Sequence, residues 1–101
     1  MKLVIIHQEA RAELDAGMAY YESKRKGLGL EFRAEVQRAI VAIQSTPQMW
    51  PPYKKTDFRK FQVHRFPFLV FYLELPEVIW IATIAHGSRR PSYWKTRTYG
   101  V

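Results

Sequence analysis

Apolar positions change their period along the chain, and each change marks an element. Leu3-Val4-Ile5-Ile6 is a continuous β-branched and aliphatic run, which predicts a short strand buried on both faces rather than an edge strand, whose apolar residues would alternate with polar ones. Ala10, Leu14, Met18 and Tyr21 then recur at helical spacing. Glu9 and Glu13 stand early and Lys24, Arg25 and Lys26 late, the order that complements the helix dipole. This predicts a first helix over roughly 8–25, with Gly27 and Gly29 as stop and turn.

A second helix resumes near Leu28–Leu30, with Phe32, Val36, Ala39, Ile40 and Ile43 in one stripe and Glu31, Arg33, Glu35, Gln37 and Arg38 off it. It ends before Ser45-Thr46-Pro47, because proline disfavours helix in its predecessor. So short a connection predicts an antiparallel helical hairpin whose apolar stripes need a sheet to cover. Pro47-Gln48-Met49-Trp50-Pro51-Pro52-Tyr53 mixes prolines with large aromatics and reads as an irregular, anchored loop.

Three strand-like runs follow, Phe58–Arg65, Phe68–Leu75 and Val78–Ala85, separated by Phe66-Pro67 and Pro76-Glu77. In the first, Phe61 and Val63 fall on one face and Lys60, Gln62 and His64 on the other. Links this short join only antiparallel neighbours, so the runs predict a meander. The order β-α-α-β-β-β is an α+β arrangement, with the helical hairpin packed on a mainly antiparallel sheet. The 101 residues suit a single domain, 1–101.

Composition narrows the chemistry. The chain has no cysteine, so thiolate metal sites, disulfides and cysteine nucleophiles are excluded. The N-terminal apolar run is too short for a signal-peptide core or a membrane span, so the expected location is the default one, the cytoplasm. There is no P-loop, dinucleotide turn, paired histidine at metal spacing or nucleophile elbow, so no cofactor or metal is expected. The net charge is +7, and it is unevenly placed: residues 1–50 carry seven Lys/Arg against six Asp/Glu, residues 51–101 nine against three. A one-sided positive field favours polyanions, either nucleic acid or an acidic protein. The basic set Lys54, Lys55, Arg59, Lys60, Arg65, Arg89, Arg90, Lys95 and Arg97 interleaves with Tyr53, Phe58, Tyr93, Trp94 and Tyr99. That mixture suits phosphate contact with stacking and suits an acidic protein segment equally.

The element order, the Phe66-Pro67-Phe68-Leu69-Val70-Phe71-Tyr72 hairpin strand and the His86-Gly87-Ser88-Arg89-Arg90-Pro91 junction together resemble the RelE/ParE toxin superfamily, in its branch of plasmid stabilisation proteins. The resemblance spans almost the whole chain. It implies a type II toxin–antitoxin module in which a cognate acidic antitoxin neutralises the toxin. The target is DNA gyrase in ParE-like members and messenger RNA on the ribosome in RelE-like ones. RelE-like sites cut with a cluster of Lys, Arg and a C-terminal Tyr. On this chain the resemblance matches Lys60 to one basic position, but Gln62 and the apolar run Phe68-Leu69-Val70 stand where further cations belong.

The leading expectation is therefore a ParE-like toxin that inhibits gyrase by binding, with Lys54, Lys55, Arg59, Lys60, Arg65, Arg89, Arg90, Trp94, Lys95 and Arg97 as the partner-binding set. The alternative is a ribosome-dependent endoribonuclease using Lys60, Arg65, His86, Arg89 and Tyr93. His64 with His86 is a further acid–base pairing open to such an enzyme, since histidine titrates nearest neutral pH. A third reading is an inactive relative serving as a nucleic-acid or protein binding module.

Overall fold

The computed structural model describes residues 1–90 and 93–99. Its elements run β1 (Leu3–Ile6), α1 (Gln8–Lys24), α2 (Leu28–Ser45), β2 (Arg59–Gln62), β3 (Phe68–Glu74) and β4 (Val78–His86), the α+β order expected from the sequence. α1 starts where the His7 Nδ1 accepts the Glu9 N–H at 3.1 Å, filling one of the donors a helix start leaves open. Between the helices Gly27 takes φ 88°, a left-handed conformation that costs a residue without Cβ little. The N–H groups of Gly27 and Gly29 donate to the Glu22 carboxylate at 2.9 and 3.0 Å. The sequence reading puts Gly29 in the turn; it lies instead inside α2, buried, where an added Cβ would stand 2.6 Å from the Met18 carbonyl oxygen. Its missing side chain lets α2 start directly against α1.

The sheet order is β1-β4-β3-β2, with β1 parallel to β4 and the other two pairs antiparallel. β1 corrects one expectation, because it is an edge strand and Leu3 is 64% exposed. Its unbroken apolar run has another cause: Val4 and Ile6 pack toward the helices while Ile5 packs on the opposite face of the sheet. β2 is shorter than the expected Phe58–Arg65. The Gln62 side-chain amide donates to the carbonyls of Val63, Phe66 and Phe68, each at 3.1 Å, and so closes the reversal in which Arg65 adopts φ 72°.

Both faces of the sheet are covered. The helical stripes Ala10, Leu14, Phe32, Val36, Ala39 and Ile43 meet Val70, Tyr72, Ile79, Ile81 and Ile84 in the main core. On the other face Tyr53, Phe71, Trp80, Ala82 and Trp94 form a second cluster, flanked by Phe58, Leu69 and Tyr93. The proline-rich loop and the segment after β4 supply its lid. The Tyr72 hydroxyl donates to the Pro47 carbonyl at 2.6 Å and the Arg59 Nη1 to the Trp50 carbonyl at 2.6 Å, so the loop is anchored at Pro47 and at Trp50. Among the described residues no helix is long and apolar enough to cross a membrane.

Candidate partner-binding face

The second cluster forms a stacked aromatic box. Trp94 lies on Phe71 at 4.6 Å and 28°, and Tyr53 stands edge-on to Phe71 at 4.9 Å, offset and edge geometries that suit ring quadrupoles. Lys60 of β2 is directly opposite Phe71 of β3, which is in turn opposite Thr83 of β4, and the exposed Lys60 shares a cavity with Ala85 and His86 at the end of β4. A narrow cavity of about 130 Å³ opens there, lined by Tyr53, Lys60, Phe71, His86, Arg90 and Trp94 among others. Lys54 and Lys95 both lie over the Tyr53 ring, at 5.4 and 5.5 Å, favourable cation–π positions. The Tyr53 hydroxyl is buried and has no hydrogen-bond partner among the described residues.

Glu13 of α1, read in the sequence only as an early acidic residue of the helix, organises the neighbouring edge. β4 outruns β1 beyond Ile81, and its pairing with β3 is irregular where Phe71 and Tyr72 of β3 meet Thr83 and Ile81. The Glu13 carboxylate accepts the Thr83 hydroxyl at 2.8 Å, the Ile84 N–H at 3.1 Å and the Tyr93 hydroxyl. Arg97 reaches it with Nη1 at 3.1 Å and Nη2 at 3.2 Å, and donates also to the Ala82 carbonyl at 2.8 Å. One ion pair therefore satisfies polar groups that strand pairing leaves over, which buried backbone requires. Burial pushes the Glu13 pKa up, but the donors Arg97, Tyr93, Thr83 and the Ile84 N–H outweigh it and hold the group below the ordinary carboxylate value. A larger cavity, about 420 Å³, lies between α1 and the strand ends, lined by Gly17, Tyr20, Phe68, Ile84, Arg89 and Tyr93 among others.

The structure divides the residues singled out from the sequence. It gathers Lys60, His86, Arg89, Arg90 and Tyr93 around the narrow cavity, with Trp94 in its wall, and holds Lys54 and Lys95 nearby on Tyr53. Lys55 is exposed in the same loop. Arg65 is elsewhere: it bridges to Glu31 at 2.9 Å and approaches Glu35 at 4.0 Å, tying the β2–β3 reversal to α2. Three members of the partner-binding set are not presented for contact. Trp94 is 1% exposed, and Arg97, its side chain 9% exposed, is taken up by Glu13 and Glu9. Arg59 is half-buried and spent on the Trp50 carbonyl. The partners of Arg65 and Arg97 lie 34 and 84 residues away along the chain, so no local pattern distinguishes these cations from the exposed ones.

For chemistry the gathered groups offer cations and one imidazole. The His86 Nδ1 accepts the Ser88 N–H at 3.0 Å, so in the neutral ring the proton sits on Nε2. The Tyr93 phenol is pushed up, first by burial and then by the Glu13 carboxylate, and its ring lies under Arg89 at 4.2 Å. A phenol held this way keeps its proton. Where a cleavage site would want further cations, Gln62 is closing the hairpin and Leu69 is lining the cavity wall. Among the described residues no His, Asp or Glu cluster fit for a metal occurs.

The family model for the ParE toxin of the type II toxin–antitoxin system, parDE, matches residues 4–91. A chain of the chromosomal ParDE TA system from P. aeruginosa has the same fold, with a TM-score of 0.65 and 20% identity over 85% of this chain and 96% of that one. No curated protein matches the sequence. The matched span runs from β1 through the His86–Arg90 junction and so takes in the helical hairpin, the sheet and the gathered cations. The chain belongs to the ParE toxin family of type II toxin–antitoxin systems.

Proposed function

We propose that this protein is a cytoplasmic toxin that a cognate acidic antitoxin neutralises and that inhibits DNA gyrase by binding rather than by cutting nucleic acid. The observation that carries the reading is that two groups an endoribonuclease would use, Arg65 and the Tyr93 hydroxyl, are committed within the fold and that Gln62 stands where a further cation would be wanted. Arg65 is committed to α2, the Tyr93 hydroxyl to Glu13 and Thr83, and Gln62 to the hairpin, while the exposed cations remain suited to holding a partner. The antitoxin segment is amphipathic: its apolar side chains enter the cavity beside Tyr20 and Gly17, and its acids meet Arg89 at the rim. Gyrase as target follows from the family, not from a feature of the face.

The test is a supercoiling and DNA-cleavage assay with purified gyrase. Supercoiling should fall and cleaved DNA accumulate as toxin is added, and the neighbouring gene's product should reverse both. Unchanged gyrase activity at a large excess of toxin would sink the target assignment. Because Lys60, His86, Arg89 and Arg90 do meet at one cavity, ribosome-dependent cleavage is the second reading. Primer extension on messages from expressing cells would favour it if it found codon-linked cuts that vanish in Lys60→Ala. Unimpaired growth on expression without antitoxin would favour a non-toxic binding module.

A further inference from the structure

Beyond any protein target, we infer that the outer face of the sheet binds nucleic acid through its phosphodiester backbone. Lys54, Lys55, Lys60, Arg89, Arg90 and Lys95 are all exposed. Among the described residues none of them enters an ion pair, whereas Lys2, Arg25, Arg38, Arg65 and Arg97 do. Arg11, Lys24, Lys26 and Arg33 on the helices are also exposed and unpaired among the described residues, but on the sheet side the free cations converge: Lys60, Arg89 and Arg90 line one cavity, and Lys54 and Lys95 share the Tyr53 ring. A clustered set of unpaired cations is the electrostatic footprint of polyanion binding.

One observation favours nucleic acid over an acidic protein. Protein interfaces need apolar anchors at their centre, and the exposed large apolar side chains are Met1, Leu3, Tyr20, Leu30, Val41, Met49 and Tyr99. None of these lines the narrow cavity or lies in the loop 51–58. Tyr20, Leu30 and Val41 are on the helices, which is where a protein partner finds apolar surface. A phosphate seated at the cavity has its charge shared by Lys60, Arg89 and Arg90, as phosphate recognition requires. The inference holds whether the toxin's target is gyrase or the ribosome.

The experiment is fluorescence anisotropy of the purified chain with a short labelled DNA duplex and, separately, one of its strands. Binding of either form supports the proposal, and the tighter one identifies the preferred source of the backbone. If all six cations meet phosphates, affinity falls about a thousandfold between about 50 and 200 mM salt. The variant Lys60→Ala/Arg89→Ala/Arg90→Ala should weaken binding roughly a hundredfold and flatten the log–log salt slope by about three. A control with the same loss of charge on the helical side, Lys24→Ala/Lys26→Ala/Arg33→Ala, should bind nearly as the parent does. Should the first variant fail to fold, the single changes Lys60→Gln and Arg90→Gln replace it. Three outcomes overturn the proposal: no binding at low salt, equal weakening in both triple variants, or tighter binding of polyglutamate than of either nucleic acid, which would assign the face to an acidic protein.

Discussion

Glu13 carries more of this structure than any other single side chain. It holds Tyr93 and Arg97, 80 and 84 residues away, and caps Ile84 at the strand edge. Its side chain is 15% exposed and that of Arg97 9%, so removing one partner strands the other in a poorly hydrated place. Glu13→Ala should therefore cost about 3 kcal/mol, the range for breaking a buried ion pair, measured as a shift in the urea midpoint. Glu13→Gln keeps the shape and some hydrogen bonds and should cost less. If both variants unfold at the parent's midpoint, the network is ornamental. The same network explains why Arg97 and Tyr93, which read as surface chemistry in the sequence, serve instead to pin the segment after β4.

Among the elements, the helical hairpin depends on two glycines at its closest approach. A Cβ on Gly17 would stand 2.6 Å from Phe32 Cε2, and one on Gly29 2.6 Å from the Met18 carbonyl. A phenyl ring can shift a little, but a helical carbonyl cannot. Gly29→Ala should accordingly destabilise by about 2 kcal/mol, even though alanine is the better helix former by about 1 kcal/mol. Gly17→Ala should cost less. Chemical denaturation of both variants decides this, and a stabilised Gly29→Ala would mean that the helices slide apart without penalty. The helical stripes were legible from spacing alone, and so was the meander. The tight contact at Gly29 was not, because a glycine near a chain reversal looks the same whether it turns the backbone or admits a neighbour.

Across the entire chain, charge and burial together set a stability profile with pH. Glu13, Glu31 and Glu74 are all held below their ordinary 4.5, Glu31 by Arg65 and Arg25, and Glu74 by Lys2. A carboxylate with a lowered folded pKa stabilises above its unfolded value, and that stability is lost as pH falls through the folded one. Stability should thus decline from about 4.5 downward, and Glu13→Gln should flatten part of that decline. On the alkaline side, burial pushes the Tyr72 phenol from 10.0 up to about 12. A raised pKa stabilises below the unfolded value and ceases to as pH rises through the folded one, so stability should fall between pH 10.0 and about 12. Tyr72→Phe should blunt that fall while costing about 1 kcal/mol at neutral pH for the lost bond to Pro47. Thermal melts across pH check both limbs; a flat alkaline limb in the parent would contradict the burial of Tyr72.

The chain's own pattern determined the order of elements, the apolar stripes, the basic second half and the resemblance to its family, because those features are local in sequence: period, capping residues and charge counts need no partner. Tertiary structure decided which cations are left over. Arg65 and Lys60 are five residues apart and look alike in the sequence, yet one is neutralised by α2 and the other stands at the narrow cavity. It also decided that Trp94 is core and not contact surface. The second aromatic cluster draws on the loop at Tyr53, the strand at Phe71 and the segment at Trp94. Residues that meet only after the sheet has formed leave no periodic trace along the chain. Charge is a property of a side chain, but availability is a property of what folds against it.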